Sequence, residues 1–178
     1  MQRADKTARP FILHRIDKET SGVLVFAKNI KIHSMLKMHW AEQVQLREYY
    51  AVVDGAPEEK SATITTYLKE NVNNVVYSTK DPTGQKAITH YETLKANEQY
   101  ALLRVKIDTG RKNQIRVHMA SMGHPVVGDR KYGHGNESSP IDRLCLHART
   151  LEFIHPMTEK KVRFEASTPK EFARIFTQ

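Results

Sequence analysis

Residues 14–28 read HRIDKETSGVLVFAK. An arginine, an aspartate and a Thr-Ser-Gly turn stand directly ahead of an apolar run, and the run GVLVFAK has the length and β-branched content of a buried strand. Behind it, Ile32, Leu36, Trp40 and Val44 recur every four residues. That spacing predicts a helix over 30–44 with Asn29 as its N-cap. The chain then changes period. EYYAVVDG, ATITTYL, NVVYSTK, AITHYETL and YALLRVKID are short β-rich runs separated by turn signals such as DG, NVNN and DPTG, which predicts an antiparallel meander.

A second helical signal interrupts the strands. In TGRKNQIRVHMASMG, residues 109–123, Ile115, Met119 and Met122 share one face, with Thr109 placed to cap the start and Gly123 to end it. Its expected first turn is basic, which opposes the helix dipole by roughly 0.3–1 kcal/mol per charge, so those cations serve something outside the helix. LHARTLEFIHP and KKVRFEAS read as a hairpin around PMTE, and PKEFARIF as a closing helix with Pro169 near its first turn. The predicted class is α+β, a largely antiparallel mixed sheet with flanking helices. No repeat or linker divides residues 1–178, so one domain is expected, burying roughly 70% of the surface its unfolded form exposes.

Composition narrows the function. The longest apolar stretches are about five residues, far below the roughly 18 that a membrane span requires. MQRADKTARPF at the amino terminus has charge but no apolar h-region of a secretory signal. A single cysteine, Cys145, excludes an internal disulfide and a thiolate zinc site, and a reducing cytoplasm is the expected compartment. The net charge is +8, and residues 104–133 hold seven basic and two acidic side chains, so the excess is local. Such a segment fits a solvated basic face or a polyanionic partner, nucleic acid above all.

Metal and nucleotide chemistry find no support. The nine histidines form no HExxH, and His33/His39 and His118/His124 are six apart rather than on one helical face. No phosphate loop, dinucleotide fingerprint or serine elbow is present. Among the acids Asp17 stands out, because it lies in a loop beside Arg15 at the entrance to a strand expected in the core. An Asx-turn within a tight loop explains the same residue. A hydrolase built on Asp17 lacks a second carboxylate to share a metal.

HRIDKETSGVLVFAK resembles the signature of the RluA-type RNA pseudouridine synthases, His-Arg-Leu-Asp-x-x-Thr-Ser-Gly followed by an apolar strand. Three further blocks agree in order: REYYAVVDG, TGRKNQIRVHMASMGHPVVGDRKYG and LHARTLEFIHPMT. Together they run from about residue 10 to 166. The resemblance implies that Asp17 is the catalytic nucleophile, Tyr49 the active-site tyrosine and Arg116 the arginine that pairs with Asp17. It also implies that Arg15 enters the RNA stack where the target base has left. His14, Arg111, Lys112, Gln114 and His118, from the same blocks, are expected with Arg15 at the RNA. The expected partner is ribosomal or transfer RNA, and no cofactor is called for.

The chain departs from the family's pattern at Ile16 for leucine, Lys112-Asn113 for Thr-His, and Arg47 for lysine. It also lacks the preceding strand with a Lys-Pro-x-Gly motif and the small RNA-binding domain that family members often carry. A piece of a longer protein, or a short variant, is therefore expected. The rival expectation is an RNA-binding module of the same fold that does no chemistry.

Overall fold

A computed structural model describes residues 9–133 and 139–177. Residues 1–8, read above for a secretory leader, lie outside the described residues.

The elements run β1 (Phe11–Ile12), β2 (Ser21–Gly22), β3 (Phe26–Ala27), α1 (Ile30–Met38), α2 (Trp40–Gln43), β4 (Val44–Asp54), β5 (Ser61–Glu70) and β6 (Val76–Thr79). They continue with β7 (Gln85–Ala96), β8 (Tyr100–Ile107), α3 (Gln114–Ser121), β9 (Leu146–Ile154), β10 (Lys161–Glu165) and α4 (Lys170–Arg174). The main sheet has the order β10-β9-β4-β8-β7-β5-β6, with β2 added to β9 as a short parallel strand. The α+β class and the largely antiparallel sheet hold. The expected meander does not run in simple sequence order, because β4 pairs with β8 and β9 rather than with β5.

The run at 22–28 is not one buried strand. Gly22 ends β2 and Phe26 opens β3, with Leu24 and Phe26 exposed. Between them the ladder is replaced by other bonds. Val23 N–H donates to Ala148 O at 2.9 Å, and Val25 N–H donates to His14 Nε2 at 3.1 Å. The helix over 30–44 likewise splits. Asn29 caps it as expected, accepting from Ile32 N–H at 2.9 Å, but α1 ends at Met38 with His39 as its C-cap, and Val44 already belongs to β4. The four-residue spacing survives because Ile32, Leu36, Trp40 and Val44 all pack into one apolar cluster with Leu151 and Phe153, whatever backbone carries them.

α3 starts later than the sequence suggested. Thr109 does not cap it; its hydroxyl accepts from Ile88 N–H and donates to Gln114 Oε1. Arg111 and Lys112 therefore sit in the preceding loop, not in a first helical turn, and Asn113 takes the cap position in left-handed backbone at φ 55°. Ile115 and Met119 bury into the main core with Leu103, Val105, Val126 and Leu144. Gln114 through Met119 are all buried, so polar helix residues enter the interior with their partners.

Candidate active site

Asp17 lies in the loop between β1 and β2 and lines a cleft with Tyr49 of β4 and the segment that precedes α3. The loop carrying it is tied down on both sides. Thr20 N–H donates to the Asp17 backbone carbonyl at 3.0 Å, so the turn is closed by main chain and the carboxylate stays available. Downstream, Ser21 and Gly22 pair with His147 and Ala148 of β9. Gly22 is required there, because its φ is +115° and a Cβ would stand 2.1 Å from Ala148 O. Ser21 Oγ is also held at 2.8 Å from His147 Nδ1 and accepts from Arg143 Nη2 at 2.6 Å.

The carboxylate opens into a cleft of about 490 Å³, mouth included, lined on its walls by Arg15, Tyr49, Arg111, Lys112, Asn113 and Ile115. Tyr49 reaches it from β4 beside a bulge, where Arg149 is the extra residue of β9 between partners Ala148 and Thr150. Bulges re-aim side chains in this way. Burial pushes the Tyr49 phenol up to about 12, with Arg47 opposing and Asp17 reinforcing, so the ring stays neutral near pH 7.

Arg116 Nη1 lies 3.6 Å from Asp17 Oδ2. The two residues meet across more than half the length of the chain, but Asp17 is not the main partner of Arg116. Asp129, its side chain fully buried, accepts two parallel bonds, from Arg116 Nε to Oδ2 and from Nη2 to Oδ1, both at 2.7 Å. The Tyr132 ring lies against the guanidinium, 5.1 Å from its Cζ. Burial alone would raise the Asp129 carboxyl, but Arg116 and the backbone N–H groups of Tyr132 and Lys131 hold it below the usual range. For Asp17 the balance runs the other way. Burial raises its carboxyl, and Arg116, Arg15 and the Asn113 backbone N–H offset that only in part.

Asp129 and Asn113 were not picked out from the sequence. The sequence did mark Asp129 as an acid beside an apolar run, PVVG, in a segment with only one other acid.

The residues expected at RNA separate into two groups. Arg15, Arg111 and Lys112 are exposed on the cleft rim, with Lys112 paired to Glu70 and Arg111 Nε donating to Lys86 O at 3.1 Å. Gln114, which also lines the cleft, His118 and His14 have interior partners. Gln114 is 3% exposed and bonds Ile88 O and Thr89 Oγ1 through its amide. His118 is fully buried between Thr66 and Thr89, 3.0 and 2.8 Å from their hydroxyls, and burial lowers it to about 4. His14 is half-buried, stacks on Trp40 and accepts from Val25 N–H, and burial with the Arg47 charge lowers it to about 4. These three brace the fold. The family resemblance suggested RNA contact for them; their polar atoms bond interior hydroxyls and backbone.

Among the described residues no helix is long and apolar enough to cross a membrane, and no group of three or more His, Cys, Asp or Glu side chains is arranged to hold a metal.

Comparison with known proteins identifies the family. The profile of the family described as RNA pseudouridylate synthase matches residues 1–121. The ribosomal large subunit pseudouridine synthase D of Zymomonas mobilis is 37% identical over 177 residues, covering 95% of this chain and 56% of that protein. The tRNA pseudouridine synthase C of Vibrio parahaemolyticus is 34% identical over 187 residues, covering 94% and 76%. Among solved structures, human RNA pseudouridylate synthase domain containing 1 superposes with a TM-score of 0.77 at 27% identity, covering 90% of this chain and 70% of that one. The chain spans little more than half the length of several relatives it matches. With the profile covering more than half of the sequence, the chain belongs to the RNA pseudouridylate synthase family.

Proposed function

We propose that this chain, as one catalytic unit over residues 1–178, converts uridine to pseudouridine in a structured ribosomal or transfer RNA. The observation that carries the reading is a half-buried carboxylate at the floor of a cleft, 3.6 Å from a guanidinium, with an aromatic wall and a basic rim. Its relatives named for ribosomal and transfer RNA supply the substrate class.

The isomerisation breaks the bond between uracil N1 and ribose C1′, turns the base, forms a bond from C5 to C1′, loses the C5 proton and gains one at N1. It is redox-neutral and adds no atom, so the chemistry calls for no cofactor. A carboxylate serves as nucleophile at either sugar or base, which assigns Asp17 the covalent step. The use of an aspartate resembles retaining glycosidases, except that water must be kept from the intermediate. Arg116 favours the charged form of Asp17. Tyr49 offers the displaced uracil a flat face, and base–aromatic stacking is worth roughly 1–3 kcal/mol. The base must leave its stack to reach the cleft, and Arg15, exposed at the rim, fills the vacancy. Arg111 and Lys112 meet phosphates.

Pseudouridine mapping of cellular RNA with and without the gene tests the reading. A uridine that is pseudouridine only when the gene is present supports it and identifies the target; identical maps refute it.

A further inference from the structure

Asn113 is a departure from the family's sequence pattern, and its left-handed backbone at φ 55°, ψ 21° explains an asparagine there without any function. Its side chain has more to do. Turned with Oδ1 toward Tyr132 Oη, 2.9 Å away, its amide nitrogen lies 3.1 Å from Asp17 Oδ1 and 3.2 Å from Oδ2. Turned the other way, its oxygen faces Arg116 Nη1 at 3.3 Å but also confronts both carboxylate oxygens.

Hydrogen-bond direction selects between the two. Val76 N–H donates to Tyr132 Oη at 3.2 Å, and a backbone N–H cannot accept. The phenolic proton then has Asn113 Oδ1 as its acceptor. With that oxygen engaged, the amide N–H groups point at Asp17. The chain of donors runs from β6 through Tyr132 and Asn113 to the cleft floor.

We infer that Asn113, oriented by Tyr132, is a positioning residue that donates to both oxygens of Asp17 and holds the carboxylate ionised in the attacking orientation. Its catalytic consequence rests on Asp17 being the nucleophile; its geometry does not. The other groups facing Asp17 are Arg116 from α3, with Asp129 behind it, Arg15 from the same loop, Tyr49 from β4, and Arg111 and Lys112 across the cleft. All these side chains remain in place in Asn113→Gly and Tyr132→Phe, and the ring under Arg116 is kept in Tyr132→Phe.

The test is a carbon-13 titration of the Asp17 carboxyl in protein labelled at aspartate, with the signal assigned by its loss in Asp17→Asn. Asn113→Gly removes the side chain while retaining the left-handed backbone, and Tyr132→Phe removes only the hydroxyl. The Asp17 midpoint should rise in both variants by about one pH unit, a tenfold change in its ionisation. The acid limb of kcat/KM for pseudouridine formation should move up in parallel. An unchanged midpoint in either folded variant overturns the inference, whatever happens to Tm. Wild-type protein that makes no pseudouridine refutes the catalytic reading, and the carboxyl titration still decides the relay.

Discussion

Asp17 and Asp129 share one guanidinium and carry opposite burdens. Asp129 is sealed in the interior and is held charged by two short Arg116 bonds, whereas Asp17 keeps some solvent and a longer contact to the same side chain. Removing Arg116 leaves a fully buried carboxylate unpaired, which costs roughly 3–5 kcal/mol. Arg116→Ala should therefore lower Tm by roughly 10 °C in thermal unfolding, at about 2–4 °C per kcal/mol for a protein of this size. Arg116→Met combined with Asp129→Asn should recover much of that stability, since the orphaned charge is gone, and should not recover product formation. Equal Tm values for the single and double variants would show that Asp129 is not the residue left exposed to the loss.

At the scale of elements, the cleft depends on a short parallel contact. β2 is two residues long, but it fixes the Asp17 loop to β9 from behind, with Ser21, His147 and Arg143 adding side-chain bonds. Gly22→Ala puts a Cβ into Ala148 O and forces a strained backbone. It should cost roughly 2–4 kcal/mol in urea unfolding and disable product formation together. A stable, fully active Gly22→Ala protein would show that the loop is positioned by other contacts.

The elements also mark where sequence could be read and where it could not. The long strands and the hairpin were legible because alternation and turn residues are local. The strand over 22–28 was not, because His14 supplies an acceptor in place of a neighbouring strand, a contact invisible to periodicity. The start of α3 was misplaced because Thr109 uses its hydroxyl on β7 and Gln114 instead of a helix cap. Asp17 stood out by its place in a loop beside Arg15, Tyr49 and Arg116 were expected from the order of blocks, and the fold brings Tyr49 to the Asp17 cleft and Arg116 to within 3.6 Å of Asp17. Asp129, Asn113 and Tyr132 act through side-chain geometry that only the folded arrangement supplies.

Across the whole molecule, buried histidines set how stability responds to acid. His14 and His118 are both lowered to about 4, from an ordinary value of 6.5. Below pH 6.5 the unfolded chain takes up protons that the folded one refuses. Stability is thus full above 6.5 and is lost as pH falls through about 4, by roughly 3 kcal/mol per histidine. Asp17 works in the opposite sense. Its raised carboxyl destabilises the fold at neutral pH, and that cost is relieved as pH falls through the folded value. Urea unfolding between pH 7 and 4 should show a steep decline, flattened in His118→Gln. An undiminished slope in that variant would place the acid sensitivity elsewhere.

The cleft gains its meaning from Asp17, and that residue can be isolated. Tritium release from RNA labelled at uracil C5 reads the bond change at the base, and filter binding reads attachment of the same RNA. Wild-type protein should release tritium, and Asp17→Asn should bind the RNA with similar affinity and release none. Release by Asp17→Asn at the wild-type rate would contradict the account.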